Sequence, residues 1–144
     1  FPVHQEYFNF TSKNIKTWIS GTATHIRFRE NDDKLSKVRQ RNGVSPNFVH
    51  SLDAAALHKT IIKANEEEGI YDFAFIHDSY GTHATGGEAL SKSLRDVFIS
   101  MFSVDLLRDW KHQLEQHSGL ELPEPPEYGT ADISKIKDST YFFS

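Results

Sequence analysis

The sequence contains no cysteine, so disulfide bonds and thiolate-bound metal sites are excluded. It contains no apolar run long enough to cross a membrane and no signal-peptide pattern, so no membrane partner is expected. The eight glycines form no phosphate-binding loop, and the eight histidines form neither an HxxxH nor an HExxH pair. P-loop nucleotide binding and zinc-dependent hydrolysis are therefore poorly supported functions.

The composition is that of an ordinary globular domain. Charged residues make up 25% and apolar residues 38% of the 144 residues, which is enough chain for one domain with a hydrophobic core. The first residue is Phe1 rather than methionine. We therefore expect the chain to be a piece of a longer protein, with part of its machinery upstream.

Charge is distributed unevenly along the chain. The net charge is −4, which is not typical of an independent DNA-binding protein. Residues 1–45 carry eight Lys/Arg and four Asp/Glu, whereas residues 46–144 carry eight Lys/Arg and sixteen Asp/Glu. The basic residues within 27–41 form either a solvated helix face or an edge that contacts phosphate groups.

The first part of the chain predicts an antiparallel ribbon. Residues 1–10 alternate roughly as a strand does, and residues 14–30 also have an extended pattern. Gly21 is expected to break or bulge this second stretch.

Two helices are expected to follow the ribbon. The first is short and polar, covers residues 33–41 and stops at Asn42-Gly43. Ser45-Pro46 suits the N-cap and first position of the second helix, which Gly69 ends.

A β-hairpin is predicted next. Tyr71–Ile76 is short and aromatic-rich, which is typical of a buried strand. Asp78-Ser79 is expected to form a tight turn, and Tyr80 begins a returning strand.

The remaining chain predicts two further helices and a terminal helical turn. Thr85 to Glu88 has the spacing of a capping box, and Gly119 ends the later helix. Residues 120–129 form a proline-rich connector to a C-terminal tail segment, and residues 130–136 suit a last short helix. One helical stripe contains Leu90, Leu94, Val97, Phe98, Met101 and Phe102. The fold class expected is α+β, a small antiparallel sheet with several helices packed on one side.

The strand 71–76 runs directly into His77, Asp78 and Ser79. A carboxylate on a rigid hairpin is a suitable Mg²⁺ ligand, because Mg²⁺ prefers oxygen and uses one or two carboxylates together with substrate phosphates. The alternative is that Asp78 is an ordinary turn-forming residue whose side chain binds backbone N–H groups.

The stretch "SPNFVHSLDAAALHKT" places Asn47, His50, Ser51 and Ala54 on one helix face. That face is small and polar, so Asn47 and His50 are able to donate hydrogen bonds into a nucleic-acid minor groove. The alternative is a packed helix with a satisfied histidine. Asp53 either orients His50 or is solvated.

Four stretches carry a resemblance to a known family: "FPVHQEY", "SPNFVHSLDA", "FAFIHDSYGTHA" and an aromatic-rich C-terminus. In this order they resemble the carboxy-terminal portion of single-subunit DNA-directed RNA polymerases of the bacteriophage and mitochondrial type. The similarity is strong at residues 1–7 and 43–84 and weaker at 11–42.

The resemblance implies that residues 1–144 are the C-terminal palm fragment of a larger polymerase that transfers ribonucleotides by a two-Mg²⁺ mechanism. Asp78 would hold Mg²⁺, with His77 beside the primer 3′ end. Template DNA, RNA transcript, ribonucleoside triphosphates and the upstream remainder of the polymerase are the implied partners. The implied location is the cytoplasm of a phage-infected host or an organelle matrix. The residues expected to contact nucleic acid are Asn47, His50, Ser51, Ser79, Tyr80, Arg39 and Arg41.

The C-terminal residues Tyr141, Phe143 and Ser144 are expected to fold back toward the active site. The other metal-binding Asp and the Lys/Tyr nucleotide helix of the family would lie upstream of Phe1, so the fragment alone is expected to be inactive. Two departures are Ala56, where the family often has histidine, and the ending "YFFS".

Three alternatives remain open. In the first, the chain is a non-catalytic module that binds nucleic acid through residues 27–41. In the second, it is a palm fragment of a family-A DNA polymerase. In the third, it is a complete Mg²⁺-dependent phosphohydrolase. The DNA polymerases usually have Glu where Ser79 stands, which favours the RNA enzyme. The phosphohydrolase needs Asp53 as a second carboxylate near Asp78.

Overall fold

The computed structural model describes residues 5–142 and confirms the α+β fold class. The chain divides into two compact units, Phe1–Leu52 and Asp53–Ser144. The helices and strands are β1 (Phe8–Ile19), β2 (Thr22–Leu35), α1 (Lys37–Glu68), β3 (Ala74–Ile76), β4 (Ser79–Gly81), α2 (Gly87–Phe102) and α3 (Leu106–Ser118), with 3₁₀ helices at Ala84–Gly86 and Ile133–Asp138.

The first unit contains an antiparallel ribbon, β1–β2, but the predicted pairing of residues 1–10 with residues 14–30 is wrong, because β1 and β2 divide the stretch 14–30 between them. Ile19 pairs with Thr22, so Ser20 and Gly21 form a two-residue loop. Both loop residues have positive φ angles, 50° at Ser20 and 81° at Gly21. Two-residue hairpin loops favour this conformation because it matches the right-handed twist of the flanking strands. The prediction that Gly21 breaks the extended stretch 14–30 is therefore confirmed, since Ser20 and Gly21 turn the chain from β1 into β2.

A single 32-residue helix, α1, replaces the two helices predicted from Asn42-Gly43 and Ser45-Pro46. Those predictions of a stop and an N-cap are wrong. Ser36 precedes the helix instead, and its Oγ accepts a hydrogen bond from the Arg39 N–H at 3.4 Å, the pattern of an N-cap. Pro46 lies inside the helix, where it removes one backbone donor.

Contacts with the segment before β1 explain why the helix continues through these breaking residues. A Cβ at Gly43 would lie 2.5 Å from Cε2 of Tyr7, so the glycine lets the tyrosine ring approach the helix backbone. Gln5 Nε2 donates to the Gln40 carbonyl at 2.9 Å, and Asn47 Nδ2 donates to Gln5 Oε1 at 2.9 Å. These bonds lie on both sides of Gly43 and favour helix along the whole stretch.

In the second unit, α1 packs against α2 through small residues. One buried cluster joins Ala56 to Val97 and Met101, and another joins Ala64 to Ile70 and Leu90. The predicted apolar stripe of α2 is confirmed: Leu90, Leu94, Val97 and Met101 are buried, while Phe98 and Phe102 are partly buried and pack on the first cluster.

The second sheet is the two-stranded hairpin β3–β4, separate from β1–β2. The predicted strand 71–76 is shorter than expected, and the prediction that it is buried is wrong, because Tyr71 is 79% and Ile76 72% exposed. Only one face of a two-stranded hairpin rests on the core, and Phe75 is on that face. The one small sheet of the prediction is thus two hairpins in the part of the chain described.

Most of the helix boundaries predicted for the C-terminal half agree with the structure. The capping box at Thr85 to Glu88 is wrong, because α2 begins after Gly86, which makes no side-chain cap. Gly119 ends α3 as predicted, with φ 69°. Residues 120–129 contain no helix or strand, and the terminal 3₁₀ helix Ile133–Asp138 matches the last predicted helix. Within residues 5–142, no helix combines the length and the apolar character needed to cross a membrane.

The close approach at Gly43 yields a test of the first unit. Alanine normally stabilises a helix interior by up to about 1 kcal/mol over glycine. Gly43→Ala is instead expected to lower the free energy of unfolding by about 1–3 kcal/mol, because its methyl group would meet the Tyr7 ring at 2.5 Å.

Denaturant unfolding measures both this variant and its control, Gly87→Ala. Gly87 is also helical, and no atom lies within 4 Å of the position that an alanine methyl group would occupy there. We expect Gly87→Ala to be neutral or stabilising. A stabilised Gly43→Ala protein would show that Tyr7 does not pack there.

Candidate functional site

His77 and Asp78 form the two-residue loop between β3 and β4. Ile76 pairs with Ser79, so the turn lies one residue earlier than predicted. His77 has φ 55°, in the left-handed region that non-glycine residues occupy at a cost of about 1–2 kcal/mol. Such a backbone persists only where neighbouring contacts enforce it, and it often occurs at functional sites.

Aromatic contacts fix the hairpin to the core. The Phe75 ring stacks on Phe73 with centroids 5.3 Å apart, and it meets the Tyr80 ring edge-on at 5.1 Å. At the base of the hairpin, Thr82 Oγ1 donates to the Asp72 carbonyl at 2.8 Å. The exposed Asp78 side chain is therefore carried at the tip of an anchored hairpin.

Two carboxylates act on the same side chain of the hairpin. Burial raises the pKa of the Tyr80 phenol above its usual value, and the negative charges of Asp53 and Asp78 raise it further. Tyr80 therefore stays protonated at neutral pH. Asp53 lies within electrostatic reach of the hairpin, although it is not on it.

Asp78 is a suitable part of a metal site but not a whole one. Its exposed carboxylate offers the hard oxygen ligands that Mg²⁺ prefers. Within residues 5–142, no three His, Asp or Glu side chains are grouped so that they could hold a metal ion. A metal site with three protein ligands would need side chains from outside that range.

The polar residues of the predicted helix face, Asn47, His50 and Ser51, belong to the first unit, and Asn47 has fewer free donors than expected. Asn47 Nδ2 donates to Gln5 Oε1 at 2.9 Å and to the Tyr7 hydroxyl at 3.0 Å. Since an amide has two N–H groups, both donors are used, and Oδ1 is the group left to accept. His50 is exposed, while the Ser51 hydroxyl donates to the Phe48 carbonyl at 2.8 Å.

The predicted basic residues differ in what they contact. Arg39 Nη1 donates to the Phe8 carbonyl at 2.9 Å, and its guanidinium lies 5.5 Å from the ring centroids of both Tyr7 and Phe10. Arg39 thus ties the start of the ribbon to α1. Arg41 is exposed on the same helix.

Sequence reasoning missed the role of Gln5, Tyr7 and Gln40. Gln40 Nε2 donates to the Gln5 carbonyl at 2.9 Å, which closes a reciprocal pair with the Gln5 amide. The motif "FPVHQEY" contains Gln5 and Tyr7, but no local pattern in it predicts contacts with residues more than thirty positions away in the sequence. Its first four residues lie outside the described range.

Of the C-terminal residues predicted to approach the active site, Tyr141 lies within the residues that the structure describes. Tyr141 is 84% exposed. Phe143 and Ser144 lie outside the residues that the structure describes. The grouping of these residues with Asp78 therefore stays a prediction.

Comparison with known proteins gives a consistent result. The profile of the DNA-dependent RNA polymerase family matches residues 1–119. DNA-directed RNA polymerase 1A of Nicotiana tabacum is 35% identical over 99% of this chain and 89% of its own length. The DNA-directed RNA polymerase of Enterobacteria phage K11 is 32% identical and T7 RNA polymerase of Escherichia phage T7 is 31% identical, each over the whole chain.

The chain spans only part of most of these relatives. It covers 17% of each of the two phage polymerases. It covers 14% of DNA-directed RNA polymerase 1, mitochondrial, of Nicotiana sylvestris, which is 35% identical.

The backbone of His77 yields a test by paired substitutions. At positive φ, glycine is free of the Cβ clash that alanine retains. The His77→Gly protein is therefore expected to be about 1 kcal/mol more stable than His77→Ala in denaturant unfolding. At Lys92, an exposed position on α2, the order should reverse, with Ala more stable than Gly by about 1 kcal/mol. The same order at both positions would contradict the left-handed turn.

The pKa of Tyr80 predicts a pH dependence. Because the folded pKa lies above the unfolded value of about 10, the folded protein holds the phenolic proton more tightly. Stability is complete below pH ~10 and falls as pH rises through the folded pKa. As pH rises above ~10, the melting temperature of Tyr80→Phe should therefore fall less than that of the parent. Equal losses would show that Tyr80 has an ordinary pKa.

Proposed function

Because this chain belongs to the DNA-dependent RNA polymerase family, of the single-subunit type found in phages and organelles, we propose that it is the carboxy-terminal palm part of such an enzyme. Its reaction is template-directed addition of ribonucleotides to the 3′ end of an RNA. The observation that carries the proposal is the exposed carboxylate of Asp78 at the tip of an anchored hairpin. Family membership also argues against a DNA polymerase.

Asp78 holds catalytic Mg²⁺ in this proposal. The remaining ligands come from the upstream part of the polymerase, from the nucleotide phosphates and from water, since one carboxylate is only part of a Mg²⁺ site. When bound, Mg²⁺ stabilises negative charge on the attacking and leaving oxygens of phosphoryl transfer. In this proposal the second metal-binding carboxylate comes from the upstream part of the polymerase, so the fragment alone is inactive.

The protein contributes positioning. The strained turn and the Phe73–Phe75–Tyr80 contacts limit the swing of Asp78, and small displacements of a reacting group cost large factors in rate. His77 lies next to Asp78 and contacts the RNA 3′ end. Ser79 begins the returning strand, and its hydroxyl faces the nucleic acid.

The polar face of α1 contacts the template–RNA hybrid. With both Asn47 donors occupied, its Oδ1 accepts a hydrogen bond from a ribose 2′-hydroxyl or from the exocyclic amine of guanine. His50 and Ser51 lie on the same face, and Arg41 provides charge for phosphate groups. Arg39 contributes less contact, since its guanidinium holds the ribbon.

The partners are template DNA, the RNA transcript, ribonucleoside triphosphates and the rest of the polymerase. Relatives are named for phages, mitochondria and chloroplasts. We place the protein in the cytoplasm of a phage-infected host, or in an organelle matrix. The tail residues Tyr141, Phe143 and Ser144 approach the catalytic centre.

A second candidate function is a nucleic-acid-binding module without catalysis. Its support is the basic first part of the chain and the exposed ribbon, where Lys16 lies 5.4 Å from the Trp18 ring centroid. Binding through phosphate contacts weakens steeply as the salt concentration rises, because the protein must displace counterions from the nucleic acid when it binds. A salt-independent affinity would exclude this candidate.

The catalytic role of Asp78 is tested in the full-length polymerase that carries this chain. Asp78→Asn keeps the shape of the side chain but removes the charge that binds Mg²⁺. Nucleotide addition on a primed template should fall by about 10³-fold or more, while template binding is retained.

The matched control is Asp72→Asn, near the base of the same hairpin. Asp72 is exposed, and its carboxylate lies 3.4 Å from His83 Nε2, a surface pair that contributes little. The control should polymerise at a near-normal rate. Normal nucleotide addition by Asp78→Asn would refute the assignment.

A further inference from the structure

The β1–β2 ribbon has two faces of different chemistry. Residues that stand directly opposite each other on the two strands share a face, and successive pairs alternate between the faces. Ile15 pairs with Ile26, and the next pair along the ladder is Lys16 with His25. The register therefore assigns every paired side chain of the ribbon to one of two surfaces.

One surface is uncharged between its middle and the turn. It is formed by three pairs of aliphatic or threonine side chains, which we call the apolar face: Ile15–Ile26, Thr17–Thr24 and Ile19–Thr22. Farther from the turn, Phe28 extends this surface opposite Lys13. Lys13 Nζ lies 3.8 Å from Glu30 Oε2, so the first charges on this side pair with each other beyond the apolar face.

The other surface carries the positive charge of the ribbon. Arg27 Nε donates to Asn14 Oδ1 at 3.2 Å, and Lys16 Nζ lies 5.4 Å from the Trp18 ring centroid. Both contacts join residues that the register places on the same side, so they confirm the assignment. Within residues 10–31, no Asp or Glu lies on this charged face.

The apolar face lacks a cover in the described part of the chain. The exposed fraction is 49% at Ile15, 55% at Ile19 and 38% at Ile26. Full burial of such a side chain contributes about 1.5–3 kcal/mol, and a two-stranded hairpin with nothing packed on it is marginally stable in water. Of the two surfaces, only the apolar face can be covered by protein without desolvating charged groups.

The size of the apolar face indicates what covers it. Five residues on each of two strands span about 17 Å by about 10 Å, which is roughly 200 Å². A stable complex between separate proteins buries about 800 Å² on each partner. A surface of the same polypeptide binds with much less area, because the covalent connection gives it a high effective concentration.

We propose that the apolar face docks on an uncharged surface of the upstream part of the same polymerase. The inference rests on the proposed function, in which this chain is the carboxy-terminal part of a single-subunit enzyme. The chain covers 17% of each of the two phage polymerases, so most of such an enzyme lies outside it. Docking through the apolar face leaves Lys16 and Arg27 directed away from the covering surface.

Photocrosslinking in the full-length polymerase, without nucleic acid, identifies the covering surface. The photoreactive amino acid benzoylphenylalanine replaces Ile26 in one variant and His25 in the other. These positions are adjacent in β2 and lie on opposite faces. Mass spectrometry should find an intramolecular crosslink from position 26 to a peptide upstream of Phe1, and no crosslink to upstream peptides from position 25.

Hydrogen exchange tests the same docking with natural side chains. Ile15→Thr combined with Ile26→Thr keeps β-branched residues in both strands but removes apolar surface. Amides of the ribbon and of the crosslinked upstream peptide should both exchange at least about fivefold faster. The control replaces the neighbouring pair on the charged face, Lys16→Thr with His25→Thr, and should change both rates less than about twofold.

The upstream peptide separates docking from a local effect on the ribbon. If the ribbon alone exchanges faster, the double variant has lost only a cross-strand pair, and the proposal is overturned. A crosslinked dimer would assign the apolar face to a second copy, and a crosslink to residues 36–144 would show that the chain covers its own ribbon. Both results overturn the proposal.

The remaining outcomes are also decisive. Equal crosslinks from positions 25 and 26, or none from position 26, would show that the ribbon does not dock through one face. None of these measurements uses nucleotide addition. Their failure therefore leaves the catalytic assignment to the Asp78→Asn result.

Discussion

The functional interpretation of this chain depends on one constraint, the anchored turn that carries Asp78. The β3–β4 hairpin is only three residues on each side, so its two strands alone would be marginal in water. Its stability comes from the rings of Phe73, Phe75 and Tyr80, which pack with Ala64, Ile70 and Leu90. This anchoring lets a left-handed His77 persist beside an exposed carboxylate. The chain thereby places local strain and an exposed carboxylate at the same point.

Small residues in the second unit determine what the hairpin can rest on. Ala56 and Ala64 lie at the contact between α1 and α2, where larger side chains would keep the helices apart. Thr60, which lies between the two alanines in the sequence, is also fully buried. Its hydroxyl donates to the Ala56 carbonyl at 2.7 Å. Ala56 therefore has a structural role here, since its methyl group packs with Val97 and Met101.

Local patterns predicted the features of this fold that local forces control. The stripe of α2, the end of α3 at Gly119 and the β3–β4 hairpin were predictable because period, caps and turn residues act over a few positions. The strands of the β1–β2 ribbon were not, because the stretch 14–30 has one extended pattern on both sides of its turn. The continuity of α1 was not, since Gly43 and Pro46 break helices in most contexts. Here Tyr7 and Gln5, more than thirty residues away, override them. The polymerase resemblance predicted a role for Asp78, but no sequence pattern predicted that both Asn47 N–H groups bind Gln5 and Tyr7.

The most direct test of the central claim is diffraction with Mn²⁺ in place of Mg²⁺. Crystals of the full-length polymerase with primed template and an unreactive ribonucleotide would be measured at the manganese absorption edge. The account predicts an anomalous peak at about 2.0–2.2 Å from an Asp78 carboxylate oxygen. A bound nucleotide whose metal peaks all lie beyond coordination distance of Asp78 would contradict it.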